Sequence, residues 1–168
     1  STEVILKYIN YTKGRLIYIS TDSVFDGNKI GAYTETDLTN PLNVYAKTKL
    51  MGEKLAQSID SSLVLRTNII GGTKNEKVSF FKYFLESLMV NKPLSLFHDV
   101  YFSPLYITIF IDIINKLILL NKVGIYNVSS IDRISKYTFA LCVAKTLKLD
   151  CSKLIKTKSE DLFSVKRP

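Results

Sequence analysis

Several residue types that often carry chemistry are scarce in this 168-residue sequence, which has no tryptophan, one histidine and two cysteines. A single histidine and two cysteines without metal-type spacing indicate no metal site. Cys142 lies in an apolar helical pattern, so we expect a buried and inert thiol. The apolar runs at residues 107–111 and 113–120 are shorter than the roughly 20 residues of a membrane span. With no signal-peptide pattern, we expect a cytoplasmic protein without a membrane partner.

The charge is one-sided, with 23 Lys and Arg against 15 Asp and Glu, for a formal net charge of +8. Such a balance occurs in proteins that bind nucleic acid. Here the lysines are scattered, the densest stretch being residues 153–158, and no RNA-type aromatic stacking motif accompanies them. We therefore expect no nucleic-acid partner, and a basic surface also suits a phosphorylated small substrate.

Helical and strand patterns alternate along the chain. Helical spacing predicts helices at residues 4–11, 44–57, 79–90, 107–120 and 134–147. Short β-rich runs predict strands at residues 15–20, 62–67, 94–97 and 124–129. This alternation predicts an α/β fold with mainly parallel pairing. Residues 148–168 read as a polar, basic remainder.

The polar segment at residues 21–43 is too long for a simple connection, which predicts a functional loop. Asp26, Glu35 and Asp37 fall within it. Paired carboxylates are one interpretation, but caps and turns that order the loop are the preferred one.

Tyr45 and Lys49 are four residues apart in a predicted helix, so they share one face. A neighbouring ammonium favours the ionised phenol, which can then exchange a proton with a carbonyl or alcohol oxygen. With 10 Tyr and 19 Lys, which are the 23 basic residues minus four Arg, about one such pair is expected by chance. The pair therefore carries weight only through its surroundings.

Those surroundings resemble the dTDP-4-dehydrorhamnose reductase family of extended short-chain dehydrogenases/reductases. Residues 20–27 read Ser-Thr-Asp-Ser-Val-Phe-Asp-Gly, residues 33–37 read Tyr-Thr-Glu-Thr-Asp, and residues 40–53 carry Asn-Pro, then Val-Tyr-Ala-Lys-Thr-Lys-Leu and Gly-Glu. Residues 65–67 (Leu-Arg-Thr) and 124–129 (Gly-Ile-Tyr-Asn-Val-Ser) continue the resemblance, as do Ser103-Pro104 and residues 166–168 (Lys-Arg-Pro). Three positions depart from the family pattern: Thr48, Ile69 and Val100.

The resemblance implies a fold that is part of a Rossmann-like parallel sheet plus a smaller C-terminal α/β substrate-binding region. Residues 1–73 would be the C-terminal half of the NAD(P)-binding domain, and residues 74–168 the substrate-binding region. No Gly-x-x-Gly-x-x-Gly turn, which would hold the cofactor phosphates, is present. We therefore expect this chain to be a piece of a longer protein that lacks the N-terminal half, and to bind NAD(P) poorly by itself.

Reduction of a nucleotide-linked 4-keto sugar by NADPH or NADH is the implied activity. The implied catalytic residues are Thr21, Tyr45 and Lys49. The implied cofactor-binding residues are Ser20, Tyr45, Lys49 and Asn68, and the implied substrate-binding residues are Thr21, Asp22, Val24, Phe25, Ser103 and Arg167.

Two other functions stay open. One is a regulatory subunit resembling the β subunit of methionine adenosyltransferase, because a fold does not fix an activity. The other is a nucleotide-sugar epimerase or dehydratase of the same superfamily. The expected partner is a nucleotide-sugar substrate, and a homodimer is left open.

Overall fold

A computed structural model describes residues 2–71 and 80–161 of the chain. The five helices of these residues are α1 Thr2–Thr12, α2 Val44–Ala56, α3 Phe80–Met89, α4 Ile107–Leu119 and α5 Lys136–Thr146. Their strands are β1 Ile17–Thr21, β2 Leu63–Thr67, β3 Ile69–Ile70, β4 Leu94–Phe97, β5 Tyr101–Phe102, β6 Leu105–Tyr106, β7 Gly124–Val128, β8 Ile134–Ser135 and β9 Leu154–Thr157. The predicted α/β class is confirmed.

The main sheet has three parallel strands in the order β1-β2-β7. All five residues of the central strand β2 are buried, as expected of an apolar run that is covered on both faces. The predicted strand–helix–strand unit is confirmed, with α2 as the crossover between β1 and β2. Because the strands are parallel, their carboxyl ends meet at one edge of the sheet.

Helix α2 lies unusually close to β1. Asn43 caps its first turn by accepting a hydrogen bond from the Ala46 amide at 2.9 Å. Further along, a Cβ atom on Gly52 would stand 2.0 Å from the Tyr18 hydroxyl. The missing side chain of Gly52 therefore lets the helix approach the strand, and this approach sets the position of Tyr45 and Lys49.

The C-terminal region has its own core, built around Phe84, Leu96, Phe102 and Phe139. Here β4 pairs in parallel with β9, and β5 pairs antiparallel with β8. Residues 148–168, for which the sequence predicted only a polar and basic remainder, contain the strand β9. Only Leu154 of this strand is buried, so the strand lacks the alternation by which it would be recognised.

Two further details differ from expectation. Helix α5 begins at Lys136 rather than at residue 134, because Ser135 caps it by accepting from the Thr138 amide at 3.1 Å. Cys142 is exposed, which contradicts the expected buried thiol. The helix buries Phe139, Ala140 and Ala144 instead, and Cys142 faces away from them.

The predicted domain boundary at residue 73 stays a prediction. After that boundary the chain returns to the first sheet, since β7 pairs with β2 along its whole length. None of the helices within residues 2–71 and 80–161 has both the length and the apolar character to cross a membrane.

Candidate functional site

A cavity of about 610 Å³ opens at the carboxyl edge of the main sheet. Asp22 follows β1, Asn68 follows β2 and Ser129 follows β7, and all three line the cavity. The opposite wall comes from the C-terminal region, with Ser103 and Lys136 among its residues. Ligands of α/β folds bind at this edge of the sheet, so the cavity is the candidate site.

The loop at residues 21–43 is held by its own side chains. Asp26 accepts hydrogen bonds from the Asn28 amide at 3.0 Å, the Tyr33 hydroxyl at 2.7 Å and the Asn40 side chain at 3.1 Å. These bonds, that of the Asn28 amide foremost, hold the pKa of Asp26 well below its ordinary value. The prediction that this carboxylate orders the loop is confirmed.

Asp37 performs the same task at the other end of the loop. It accepts from the Lys29 ammonium at 2.6 Å and from the Thr34 amide at 2.6 Å. The hydrogen bond from Lys29 is the main cause that lowers the pKa of Asp37 to about 2. The loop is therefore a folded wall of the cavity.

Glu35 connects the loop at residues 21–43 to the main sheet by hydrogen bonds. Its carboxylate accepts from the Asn127 amide at 2.8 Å, and its carbonyl oxygen lies 3.4 Å from an Arg66 guanidinium nitrogen. Phe25 stacks on Tyr33 at 4.3 Å between ring centroids, and the Arg66 guanidinium lies 5.1 Å from the Phe25 ring. Glu35 therefore holds the loop through a contact with the distant strand β7, and not through the cap or turn that the sequence predicted.

Beneath the site lies a buried ion pair. Glu53 of α2 and Arg66 of β2 meet at 2.8 Å, with only 1% and 4% of their side chains exposed. The Ser20 hydroxyl donates to the same carboxylate at 2.5 Å. Ser20 is thereby committed to this cluster, so its cofactor-binding role stays a prediction that the contact does not favour.

Thr21 stands at the end of β1 and is buried. Its hydroxyl donates to Asp22 Oδ1 and accepts from the Ser23 amide, both at 3.2 Å. Asp22 Oδ2 in turn accepts from the Asn68 side chain at 3.0 Å. A chain of hydrogen bonds therefore joins the threonine to the cavity wall.

Tyr45 and Lys49 stand on α2, which packs against β1, and neither they nor Thr21 belong to the residues that line the cavity. The Tyr45 side chain is 60% exposed, and its hydroxyl makes no hydrogen bond to any described residue, Thr21 included. The Lys49 ammonium donates to the Ile19 carbonyl at 2.5 Å and lies 4.7 Å from the centre of the Tyr18 ring. Burial lowers the pKa of Lys49, and the Glu53 carboxylate partly opposes this.

The other predicted site residues differ in where the structure places them. Asp22, Phe25, Asn68 and Ser103 line the cavity. Val24 has no exposed surface, so substrate contact by its side chain stays a prediction that its burial does not favour. Arg167 lies outside the described residues.

Sequence reasoning missed several polar residues that line the cavity, among them Arg66, Asn127 and Lys136. Arg66 had a usable signal, because a charged residue inside the buried run at residues 63–67 requires a buried partner. Asn127 lies in an ordinary strand pattern and Lys136 at the start of an ordinary helical pattern, so neither residue had a signal in the sequence that indicated a place in the cavity.

The site fits one end of a nicotinamide cofactor. The exposed Tyr45 hydroxyl and the Lys49 ammonium can hold ribose hydroxyls. The pyrophosphate end has no matching glycine-rich turn in this sequence. Within the described residues no group of three or more His, Cys, Asp or Glu side chains is placed to hold a metal ion.

Sequence comparison identifies relatives of two kinds. The chain is 39% identical over 105 residues to the dTDP-4-dehydrorhamnose reductase of Salmonella typhimurium, which covers 62% of this chain and 34% of that protein. It is 30% identical over 161 residues to the Methionine adenosyltransferase 2 subunit beta of Xenopus laevis, covering 91% of this chain and 48% of that protein. The chain thus spans between a third and a half of the length of these relatives.

Structural comparison agrees with the sequence. The crystal structure of dTDP-4-dehydrorhamnose reductase from Bacillus anthracis in complex with NADP matches with a TM-score of 0.90 and 25% identity, covering 99% of this chain and 59% of that one. The sequence profile of the RmlD substrate binding domain matches residues 1–168. The chain therefore belongs to the RmlD substrate binding domain family, the family of the dTDP-4-dehydrorhamnose reductases.

Proposed function

We propose that this chain carries the catalytic residues and the sugar-binding cavity of an NAD(P)H-dependent reductase that acts on a nucleotide-linked 4-keto sugar. The relatives named as reductases support the class of activity. The chain spans only part of those relatives, so turnover requires the full-length protein.

One observation supports the proposal: the three predicted catalytic residues lie on β1 and α2, two adjoining elements next to the cavity, while none of the three belongs to its lining. Thr21 ends β1, and α2, which packs against β1, presents Tyr45 and Lys49. Asp22, directly after Thr21, lines the cavity. A sugar in the cavity would therefore lie beside Thr21.

The nicotinamide, when bound, supplies the hydride that attacks the keto carbon. Tyr45 protonates the keto oxygen as it gains negative charge. Its hydroxyl suits this step because it is exposed and makes no hydrogen bond to another described residue. Thr21 donates a hydrogen bond to the same oxygen after leaving Asp22, to which it donates at 3.2 Å. Lys49 stabilises the ionised phenol that remains.

The experiment measures NADPH consumption by the full-length protein with dTDP-4-dehydro-6-deoxy-L-mannose. We expect turnover by the wild type and a loss of at least about a hundredfold in Tyr45→Phe, which removes the proton donor. Tyr83→Phe is the matched control, because Tyr83 lies on α3 and does not line the cavity. Wild-type rates in Tyr45→Phe would contradict the proposal.

A second candidate is a regulatory subunit without catalysis. The 30% identity to Methionine adenosyltransferase 2 subunit beta extends over 91% of the chain, further than the match to the Salmonella reductase. This function predicts no NADPH consumption, and equal binding of a protein partner by wild type and Tyr45→Phe. The same pair of proteins therefore distinguishes the two functions.

A further inference from the structure

Lys136 is a cavity residue to which the proposed mechanism gives no task. It is the first residue of α5, and its backbone amide donates to the Val100 carbonyl at 3.1 Å. Its half-buried side chain lies against Phe102, with the ammonium 3.3 Å from the ring centre. Burial lowers the pKa of Lys136 to about 8, and the Asp22 carboxylate partly opposes this shift.

Lys136 lines the same cavity as Asp22, the residue that directly follows Thr21. Asp22 accepts the hydrogen bond of the Thr21 hydroxyl, and Thr21 is the proposed partner of the keto oxygen. Asp22 also accepts from Asn68, so its two oxygens face two strand ends. Because Lys136 and Asp22 line the same cavity, Lys136 can contact the reacting end of a sugar that is bound there.

The charges of the cavity favour a neutral polar ligand group at this end. Arg66 is already paired with Glu53, and the other two cations of the lining, Arg133 and Lys136, stand among three carboxylates, Asp22, Asp26 and Asp99. A wall that carries both cations and carboxylates offers donors and acceptors together and suits a hydroxyl, which both donates and accepts.

Asn127 provides an independent observation, because its side-chain oxygen is a buried acceptor to which no described residue donates a hydrogen bond. Its side-chain nitrogen donates to the Tyr33 carbonyl at 3.0 Å, which fixes the orientation of the amide. Its buried Oδ1 finds no hydrogen-bond partner within residues 2–71 and 80–161. A buried acceptor without a donor is costly, and Asn127 lines the cavity, so a ligand hydroxyl can satisfy it.

We propose that Lys136 is a specificity-determining residue that donates a hydrogen bond to a ring hydroxyl of the sugar near the carbon that is reduced, with Asp22 as the neighbouring acceptor. This inference rests on the proposed function, because it takes a nucleotide-linked sugar as the ligand. It assigns Lys136 to the sugar and not to the nucleotide.

The test compares the binding of dTDP-L-rhamnose and of dTDP by calorimetry, using the full-length protein. We expect the wild type to bind dTDP-L-rhamnose about tenfold more tightly than dTDP, as one charge-assisted hydrogen bond provides. Lys136→Met should lose this preference while its affinity for dTDP stays unchanged. Lys136→Arg should keep part of the preference, because it keeps a cationic donor.

Lys145→Met is the matched control, since Lys145 is an exposed lysine in the last turn of the same helix. It should keep the wild-type preference. Thermal unfolding at pH 7 should show that Lys136→Met is at least as stable as the wild type, because a desolvated charge is removed.

Three results would overturn the inference: a preference for dTDP-L-rhamnose that survives in Lys136→Met, an equal loss of affinity for both ligands, or no preference in the wild type. None of them decides the reductase proposal, which depends on NADPH consumption and on Tyr45. Turnover by the full-length protein together with an unchanged preference in Lys136→Met would reject this inference alone.

Discussion

Two regions on either side of the carboxyl edge of the sheet use their polar groups in opposite ways. Beneath the edge, Glu53 and Arg66 are buried and paired, and Ser20 completes the cluster. At the lip, the Tyr45 hydroxyl makes no hydrogen bond to another described residue. Lys136 is half-buried against an aromatic ring.

This difference distinguishes residues that stabilise the fold from residues that can bind a ligand. A buried polar group without partners is costly, so a cluster whose groups are satisfied by one another serves the fold. The Tyr45 hydroxyl, by contrast, makes no hydrogen bond to another described residue and can meet a ligand. Changes beneath the edge should therefore reduce stability, and changes at the lip should reduce binding or turnover.

The largest effect on stability is expected from Glu53→Ala. This change leaves the Arg66 guanidinium buried without its carboxylate, which costs about 3–5 kcal/mol of the free energy of unfolding. Urea unfolding followed by circular dichroism measures the loss. The control is Glu86→Ala, which removes the exposed Lys82–Glu86 pair at 3.9 Å and should cost at most about 1 kcal/mol.

The double variant Glu53→Met with Arg66→Met sharpens this comparison. It removes both charges and should recover most of the loss, because no unpaired charge stays buried. A loss equal to that of Glu53→Ala would mean that the pair contributes more than charge compensation.

The next effect is expected from Gly52→Ala. The new methyl group would meet the Tyr18 hydroxyl and ring, so either the Tyr18 side chain or α2 must shift, at a cost of about 1–3 kcal/mol. Because α2 carries Tyr45 and Lys49, turnover should also fall in the full-length protein. Lys54→Ala, at an exposed position of the same helix, should leave both properties unchanged.

The smallest effect concerns the loop wall. The fold lowers the pKa of Asp37, so its stabilising contribution is complete above about pH 4 and disappears as the pH falls through about 2. The protection of the Thr34 amide, which donates to Asp37, should decrease over this interval when its exchange rate is compared with the intrinsic rate at each pH. Asp37→Asn should show faster exchange already at pH 7, and exchange as slow as in the wild type would refute the loop assignment.

The sequence predicts the main sheet well, because its signals are local. The buried run of β2, the caps of the helices and the order of the motifs place Thr21, Tyr45 and Lys49 near one edge. The short strands β3, β5, β6 and β8 span two residues each, too few for any periodicity, and they escaped prediction.

The cavity was predicted only in part for a related reason. Asp22, Phe25, Asn68 and Ser103 follow recognisable motifs. Lys136 enters the cavity because β8 pairs with β5 and turns the start of α5 toward it. Such a contact between distant segments leaves no trace in the spacing of one sequence.

The central claim is that Thr21, Tyr45 and Lys49 reduce a keto sugar at this edge of the sheet. The most direct measurement supplies the full-length protein with nicotinamide cofactor deuterated at the transferable hydrogen and with dTDP-4-dehydro-6-deoxy-L-mannose. Mass spectrometry should then find one deuterium in the sugar product of the wild type and almost no labelled product from Tyr45→Phe. An unlabelled product, or equal labelling by both proteins, would contradict the claim.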